Sequence, residues 1–306
     1  MRIHTAHRAK LLVATFAFGL VSRPVAAQTA DTARARACPS CAGWNAPHAP
    51  VHVFGNTYYV GTAGLSSILI TSPAGHVLID GGLPESAPVI AANIRAAGFR
   101  VEDVRLILNS HAHYDHAGGI AELQRISGAR VAASGPSARE IGTGTATRDD
   151  PQLKSALPYP AVKKLDVIHD GVTLRIGALA IVAHLTGGHT PGGTTWSWRS
   201  CEGARCANIV YADSFTPVSD DDFLFTRNIH YPRVLDDFAR SFAVLDSLPC
   251  DLLLTPHPGA SRFWERVAAR DSGDVNALIA AGQCSAYAAA GRRAVAARVA
   301  KEGAGR

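Results

Sequence analysis

From residue 51 onward, short apolar runs alternate with turn residues, and the pattern predicts strands first. Segments 51–55, 57–60, 67–70 and 76–79 read as an antiparallel meander, with turns at Gly55-Asn56 and Pro73-Ala74-Gly75. A helix is predicted over about 85–97, where Val89, Ile90, Ile94 and Ala97 share a face and Gly98 provides the stop. The run 104–108 is short, aliphatic and ended by polar residues, which predicts a buried strand.

The second half repeats the theme. A helix over 120–126, a strand near Val131-Ala132 and a helix near 136–142 precede a proline- and glycine-bearing loop, 143–160. Strands are then predicted at 172–176, 179–183, 194–198 and 208–211. An amphipathic helix follows over 232–247, with Val234, Phe238, Phe242 and Leu245 on one stripe. A strand at 252–254 and an alanine-rich helical tail over 273–301 complete the chain. Strands then helices, twice over, predict an α+β sandwich of two facing mixed sheets with helices outside. Composition does not break between 50 and 300, so a single domain is expected over 51–306, preceded by an arm at 28–50.

The first 27 residues follow a different rule. Arg2, Arg8 and Lys10 precede an apolar stretch from Leu11 to Val21, and Val25-Ala26-Ala27 offers small residues for cleavage. This predicts a secretory signal peptide over 1–27, since the apolar part is too short to span a bilayer. Its removal takes away four basic residues and no acidic ones, leaving 26 basic against 25 acidic side chains. The basic balance of the whole chain is therefore no argument for nucleic acid, and no basic patch with interleaved aromatics supports that partner. No membrane anchor is expected, and the mature chain is expected to be periplasmic or secreted and to work as a monomer.

Six cysteines suit an oxidising compartment. They fall as Cys38/Cys41, Cys201/Cys206 and Cys250/Cys284, and spacing cannot choose among the fifteen pairings that six cysteines allow. Cys201 and Cys206, flanking Glu-Gly-Ala-Arg, look like a stapled hairpin. Cys38-Pro-Ser-Cys41 has neither the context of a redox motif nor a second cysteine pair to complete a zinc knuckle.

The chemistry concentrates in Asn109-Ser110-His111-Ala112-His113-Tyr114-Asp115-His116-Ala117-Gly118-Gly119, directly after strand 104–108. His111 and His113 are two apart, so in extended backbone they point the same way and can share one metal. Asp115 and His116 point elsewhere and suit a second metal. Imidazole and carboxylate without cysteine favour catalytic zinc. His189 lies in a loop with glycines on both sides, Gly187-Gly188 and Gly192-Gly193. His257 is held between Pro256 and Pro258 after strand 252–254. The set divides into a first zinc site of His111, His113 and His189 and a second of Asp115, His116 and His257. Two zinc ions in such a pair can share a hydroxide, which is a nucleophile at neutral pH.

Asp213 ends a strand and reads equally as a carboxylate on the metals or as a turn cap. Asp80 reads as hydrogen-bond support or turn chemistry. His48, His52, His76, His169, His184 and His230 stand singly and read as structural or solvated, with His184 the one closest in sequence to the site.

These residues resemble the metallo-β-lactamase superfamily, and the resemblance covers nearly all of 40–290. The metal motif is specific to the superfamily. Gly55-Asn56-Thr57-Tyr58-Tyr59-Val60-Gly61-Thr62, Gly188-His189-Thr190-Pro191-Gly192-Gly193-Thr194, Tyr211-Ala212-Asp213-Ser214 and Thr255-Pro256-His257-Pro258-Gly259-Ala260 together look like its third subclass of true β-lactamases. The resemblance implies an αββα sandwich with two zinc ions at one edge of the sheets. It also implies a Cys250–Cys284 disulfide, and a β-lactam substrate whose carboxylate meets Ser214 and Thr216. Threonine at 216 departs from the serine of many members but keeps the hydroxyl. The implied reaction opens the lactam amide with a zinc-bound hydroxide, with Asp115 as a proton route, and would confer β-lactam resistance. By analogy, loop 143–160 and aromatics near the N-terminal hairpin wall the groove.

Two other readings compete. A lactonase or a glyoxalase-type thioesterase would use the same ligands. Such a thioesterase would want a basic cluster, but Arg262, Arg266 and Arg270 read more simply as a solvated helix face. A non-catalytic periplasmic zinc-binding protein is the third reading.

Overall fold

The computed structural model describes Met1 and residues 38–304. The expected signal peptide, apart from Met1, and residues 28–37 of the expected arm lie outside them. From Ser40 the chain forms one unit. It opens with a short helix, α1 (Cys41–Trp44), and the four-strand meander β1 (Val51–Phe54), β2 (Thr57–Tyr59), β3 (Ile68–Ile70) and β4 (His76–Ile79). Helix α2 (Ala87–Ala96) then leads to β5 (Val104–Leu108), the turn α3 (Tyr114–Ala117), α4 (Ile120–Ser127), β6 (Arg130–Ser134), α5 (Gly135–Thr143) and β7 (Asp166–Ile168). Strands β1 to β7 form one sheet in sequence order, antiparallel through β4 and parallel from β4 to β7.

A second sheet runs in the order β12-β11-β10-β9-β8. Its strands are β8 (Thr173–Ile176), β9 (Leu179–Leu185), β10 (Thr194–Glu202), β11 (Arg205–Tyr211) and β12 (Leu252–Leu254). They pair antiparallel except β11 with β12. Helices α6 (Val234–Ser247), α7 (Phe263–Asp271) and α8 (Gln283–Ala304) complete the fold.

Period-two alternation sorts the side chains into layers. In β3, Ile68 and Ile70 face the second sheet, where they join Trp196, Trp198, Ile209, Leu252 and Leu254 in one core. Leu69, between them, joins Leu78, Ile107 and Val131 against Ile90 and Ile94 of α2 and Leu123 of α4. On the other side, Val210 and Leu253 pack against Phe238, Phe242 and Leu245 of α6 and Ala288 of α8. The result is the αββα sandwich that the alternation predicts. Each fully buried aliphatic side chain in these layers contributes about 1.5–3 kcal/mol.

Two disulfides match expectation, the first read as a stapled hairpin and the second implied by the family resemblance. Cys201–Cys206 closes the β10–β11 hairpin. Cys250–Cys284 joins the start of β12 to the first turn of α8. Cys38 and Cys41 are disulfide-bonded as well. Among the described residues no helix is long and apolar enough to cross a membrane.

Several boundaries differ from the pattern. Strand β7 lies in a stretch not predicted as strand; it is a three-residue edge whose Val167 is exposed, so it lacks an apolar run. Helix α7 lies where the three arginines are spaced as on a helix, and it begins after Arg262 in the left-handed region at φ +53°. The tail helix starts at Gln283 and not 273, because Gly273 and Gly282 both adopt positive φ before it. Nor are Arg262, Arg266 and Arg270 one solvated face. Arg262 is exposed, but Arg266 donates to Leu253 O at 2.6 Å and Arg270 to His52 O at 2.6 Å, so two of the three serve the backbone of the sheets.

Candidate metal centre

The centre lies at one edge of the sandwich, where strand ends from both sheets converge. After β5 the chain is fixed by Asp80, which ends β4 with φ +62° and is fully buried. Its carboxylate accepts from Ser110 N at 2.7 Å, Ser110 Oγ at 2.6 Å and Asn109 Nδ2 at 3.1 Å. Across the core, Tyr211 of β11 donates to the same carboxylate at 2.7 Å. One side chain thus ties the loop to both sheets. Close approach of the Gly81 and Gly119 backbones completes the turn, since a Cβ on Gly119 would lie 2.3 Å from Gly81 O.

Extended backbone ends at His113, whose carbonyl accepts from His116 N and Ala117 N to start α3. Asp115 and His116 therefore leave from a helical turn. His189 lies between β9 and β10, in a loop closed by Thr186 N to Gly193 O at 2.8 Å. Gly188 there has φ +136° and lies against the Phe238 ring. His257 follows β12 and is fixed from the first sheet's loop, where Ser66 N donates to Pro256 O at 2.8 Å and Ser66 Oγ to Thr255 O at 2.7 Å.

The structure brings all six expected ligands together. His111, His113 and His189 form one cluster and Asp115, His116 and His257 another, with the ligand atoms of each within 4.8 Å of one another. The clusters are adjacent, because the rings of His111 and His116 are 4.4 Å apart. Asp115 Oδ2 lies 3.3 Å from the Nε2 atoms of both His116 and His257.

Hydrogen bonds on the outer side of each ring set which nitrogen faces inward. His111 Nδ1 lies 2.7 Å from Asp213 Oδ1, and His189 Nδ1 lies 2.8 Å from Thr216 O. Both acceptors call for Nδ1–H, which leaves Nε2 with its lone pair. His113 is turned the other way, with Nε2 at 3.1 Å from Asp150 Oδ2, so its Nδ1 is the free atom. Asp213 belongs to neither ligand cluster; its carboxylate sits against His111 Nδ1 and orients that ring.

Electrostatics follow burial. Burial pushes His111 well below the ordinary imidazole value, and burial aided by the charge of His113 takes His189 to about 3. Both are neutral bases at physiological pH. Burial also works against a charged His113, but Asp150 overcomes it and raises that ring to about 9, so a metal at Nδ1 must displace a proton. Burial would raise Asp115, yet His116 and His257 hold it well below the usual carboxylate range.

A cleft of about 210 Å³ opens over the clusters. Ser214 and Thr216 line it, as do Trp44, Tyr114, Gln152, Ala156 and Val218. Loop 143–160 does reach the wall, through Gln152 and Ala156. The aromatic contribution comes from Tyr114 of α3 and from Trp44 of α1, whose ring lies 5.1 Å from that of His257; in the hairpin itself, Tyr59 is buried in the core. Trp44 carries no local signal that would have found it. His184 stays outside, bonded to Ser197 Oγ at 2.8 Å. A wider groove of about 540 Å³ lies between α7 and α8, away from both clusters.

Comparison with known proteins gives a consistent picture. A family model described as the metallo-beta-lactamase superfamily matches residues 61–270. Among solved structures, Rm3 metallo-beta-lactamase is 53% identical, with 87% of this chain and 98% of that chain covered and a TM-score of 0.85. MEM-A1, described as a subclass B3 metallo-beta-lactamase isolated from a soil metagenome library, is 44% identical, with 86% and 100% covered and a TM-score of 0.84. A hydroxyacylglutathione hydrolase of Anaeromyxobacter dehalogenans (strain 2CP-C) is 32% identical over 130 residues, which span 42% of this chain and 40% of that protein.

Proposed function

The chain belongs to the metallo-beta-lactamase superfamily and groups with its subclass B3, and from that premise we propose that it is an exported dizinc hydrolase of β-lactams. The observation that carries the reading is the pair of adjacent ligand clusters, each within 4.8 Å, in a chain 53% identical to a metallo-beta-lactamase with 87% of this chain and 98% of that one covered.

The residues fit two zinc ions. His111 Nε2 and both ring nitrogens of His116 are buried without a hydrogen-bond partner. Orphaned buried polar atoms are costly, and a cation is the partner that lone pairs on imidazole can take. In this reading His111, His113 and His189 hold the first ion, and Asp115, His116 and His257 the second. Zinc bound there supplies a Lewis acid and activates water at neutral pH.

The chain's own side chains do the rest. Ser214 and Thr216 hold the substrate's carboxylate by their hydroxyls, which sets the lactam carbonyl over the clusters. Trp44 and Val218 cover the apolar part of the substrate and exclude water from that side. Asp115, ionised and at the junction of both clusters, is placed to take the proton released by the attacking water and pass it to the amide nitrogen as the carbon–nitrogen bond breaks. Asp213, Asp150 and the Thr216 carbonyl hold the histidine tautomers through the cycle. The domain is taken as 51–306, after a signal peptide at 1–27 and an arm at 28–50, and the protein as a periplasmic or secreted monomer. The disulfides support an oxidising compartment.

A second reading, thioester hydrolysis, has one observation in its favour, the match to a hydroxyacylglutathione hydrolase. One experiment separates them. Purified mature protein is assayed on a penicillin, a cephalosporin, a carbapenem and a hydroxyacylglutathione thioester, with and without a chelator. Chelator-sensitive loss of lactam absorbance, abolished by His189→Ala, is expected. Folded, zinc-loaded protein that turns over only the thioester would overturn the β-lactam reading.

A further inference from the structure

One buried carboxylate serves both a ligand histidine and the wall of the cleft. Asp150 is 1% exposed, and its oxygens are shared between two partners. Both lie near His113 Nε2, at 3.3 Å for Oδ1 and 3.1 Å for Oδ2. Oδ1 also accepts the backbone N–H of Gln152 at 2.6 Å. Gln152 in turn lines the cleft, and its side-chain nitrogen is 3.5 Å from His113 Nδ1, the ring atom left free.

The segment around Asp150 has no regular secondary structure and is held from outside. On its N-terminal side, Asp150 N donates to Thr147 O at 2.9 Å. Thr147 is itself pinned to buried Glu140 Oε1, through its N–H at 2.8 Å and its hydroxyl at 2.6 Å. On the C-terminal side, Asp220 receives Lys154 N at 2.6 Å and Ser155 N at 3.1 Å. Between these anchors, Asp220 N donates to Pro151 O at 2.9 Å, and the Gln152 backbone N–H is held by Asp150 alone among the contacts described.

Resting on the reading that His113 Nδ1 is a zinc ligand, we propose that Asp150 is a positioning residue that couples the first metal site to segment 150–156 of the cleft wall. A metal held by His111, His113 and His189 would immobilise the His113 ring, so its Nε2–H stays on the carboxylate in one orientation. A carboxylate held in that orientation keeps Oδ1 aimed at the Gln152 amide. The wall is therefore ordered when the metal is bound. By reciprocity, loss of the anchor weakens the metal by the same factor.

A plain turn cap would hold Gln152 equally with and without metal, and that difference is measurable. The full mature chain and Asp150→Asn are stripped of metal, checked for fold by circular dichroism and titrated with zinc against a competing chelator. Amide hydrogen exchange over 150–156 is followed at zero and saturating zinc. We expect zinc to slow exchange of this segment in the unaltered chain. Asp150→Asn should bind its first zinc about 10–100-fold more weakly and show no zinc-dependent protection there. Affinity within about threefold of the unaltered chain, or zinc saturation without any change in exchange, overturns the coupling. Should Asp150→Asn fail to fold, the exchange comparison on the unaltered chain decides alone. An unaltered chain that takes up no zinc overturns the functional reading as well, and the titration separates that result from failure of the coupling.

Discussion

Removing the Cys250–Cys284 bond by the double change Cys250→Ala and Cys284→Ala should lower stability by about 3.8 kcal/mol. The value follows from the 34-residue separation of the pair, through the chain entropy that a cross-link removes from the unfolded state. Alanine is the right replacement, because Cys284 is 2% exposed and a serine hydroxyl there would be buried. The same reasoning gives only about 2 kcal/mol for Cys201–Cys206, whose separation is 5. The two double variants thus form an internal comparison in which chemistry is constant and loop length changes. For a chain of this size, about 2–4 °C accompanies each kcal/mol, so the larger loss should appear as a drop near 10 °C. Denaturant unfolding of oxidised protein, followed by tryptophan fluorescence, reads both losses. Equal losses for the two pairs, or a loss below about 1 kcal/mol for the longer loop, would refute the loop-entropy argument. A further effect distinguishes this bond. Helix α8 backs the centre, with Tyr287 donating to Asp213 O at 3.2 Å, and Gly291 packed against Phe215 and Phe242. Zinc affinity should therefore fall in the Cys250/Cys284 variant and stay unchanged in the hairpin variant.

Gly188→Ala would place a Cβ 2.6–2.9 Å from three atoms of the Phe238 ring at φ +136°, so a loss of about 2–4 kcal/mol is expected on thermal denaturation. The same variant should bind zinc at least tenfold more weakly in a chelator competition, because His189 is the next residue. Glu302 of α8 accepts from Phe225 N, Thr226 N and Arg298 Nε at 3.1, 3.0 and 2.7 Å. Burial opposes its charge, but these donors win and hold its carboxyl below the ordinary glutamate value. A lowered folded pKa contributes stability above the unfolded value, about 4.3, that is lost as pH falls through the folded one. Glu302→Gln should therefore cost about 1–2 kcal/mol at pH 7 and converge with the unaltered chain as pH falls through the lowered value of the folded carboxyl, read from urea unfolding curves.

Sequence pattern reaches some parts of this molecule and not others, for physical reasons. His111, His113, Asp115 and His116 sit within six residues, so local spacing exposes them. His189 and His257 are distant but follow strands and are marked by glycine or proline, and folding brings each beside that stretch. Asp150 carries no such mark. Its partner is 37 residues away, and only folding brings a loop aspartate to a ring nitrogen. Asp213 was legible as a strand-end carboxylate, but its role depends on a contact 102 residues back along the chain. Trp44 lay in a stretch read as a surface arm, and its ring reaches the cleft through α1. The layers were easier, because alternation such as Ile68-Leu69-Ile70 states directly which side chain meets which face.

The ligand clusters draw on both halves of the sandwich, with residues 111–116 from the end of β5 and His189 and His257 from strands β9 and β12 of the other sheet. Neither half can assemble the centre alone. An ion bound across that seam would act as a rivet, and its binding energy would add to the docking of the sheets. Zinc scarcity would then shorten the lifetime of the protein under proteolysis, since the open form that proteases attack becomes more populated. Abundance of the protein would then follow the local supply of zinc as well as the rate of synthesis.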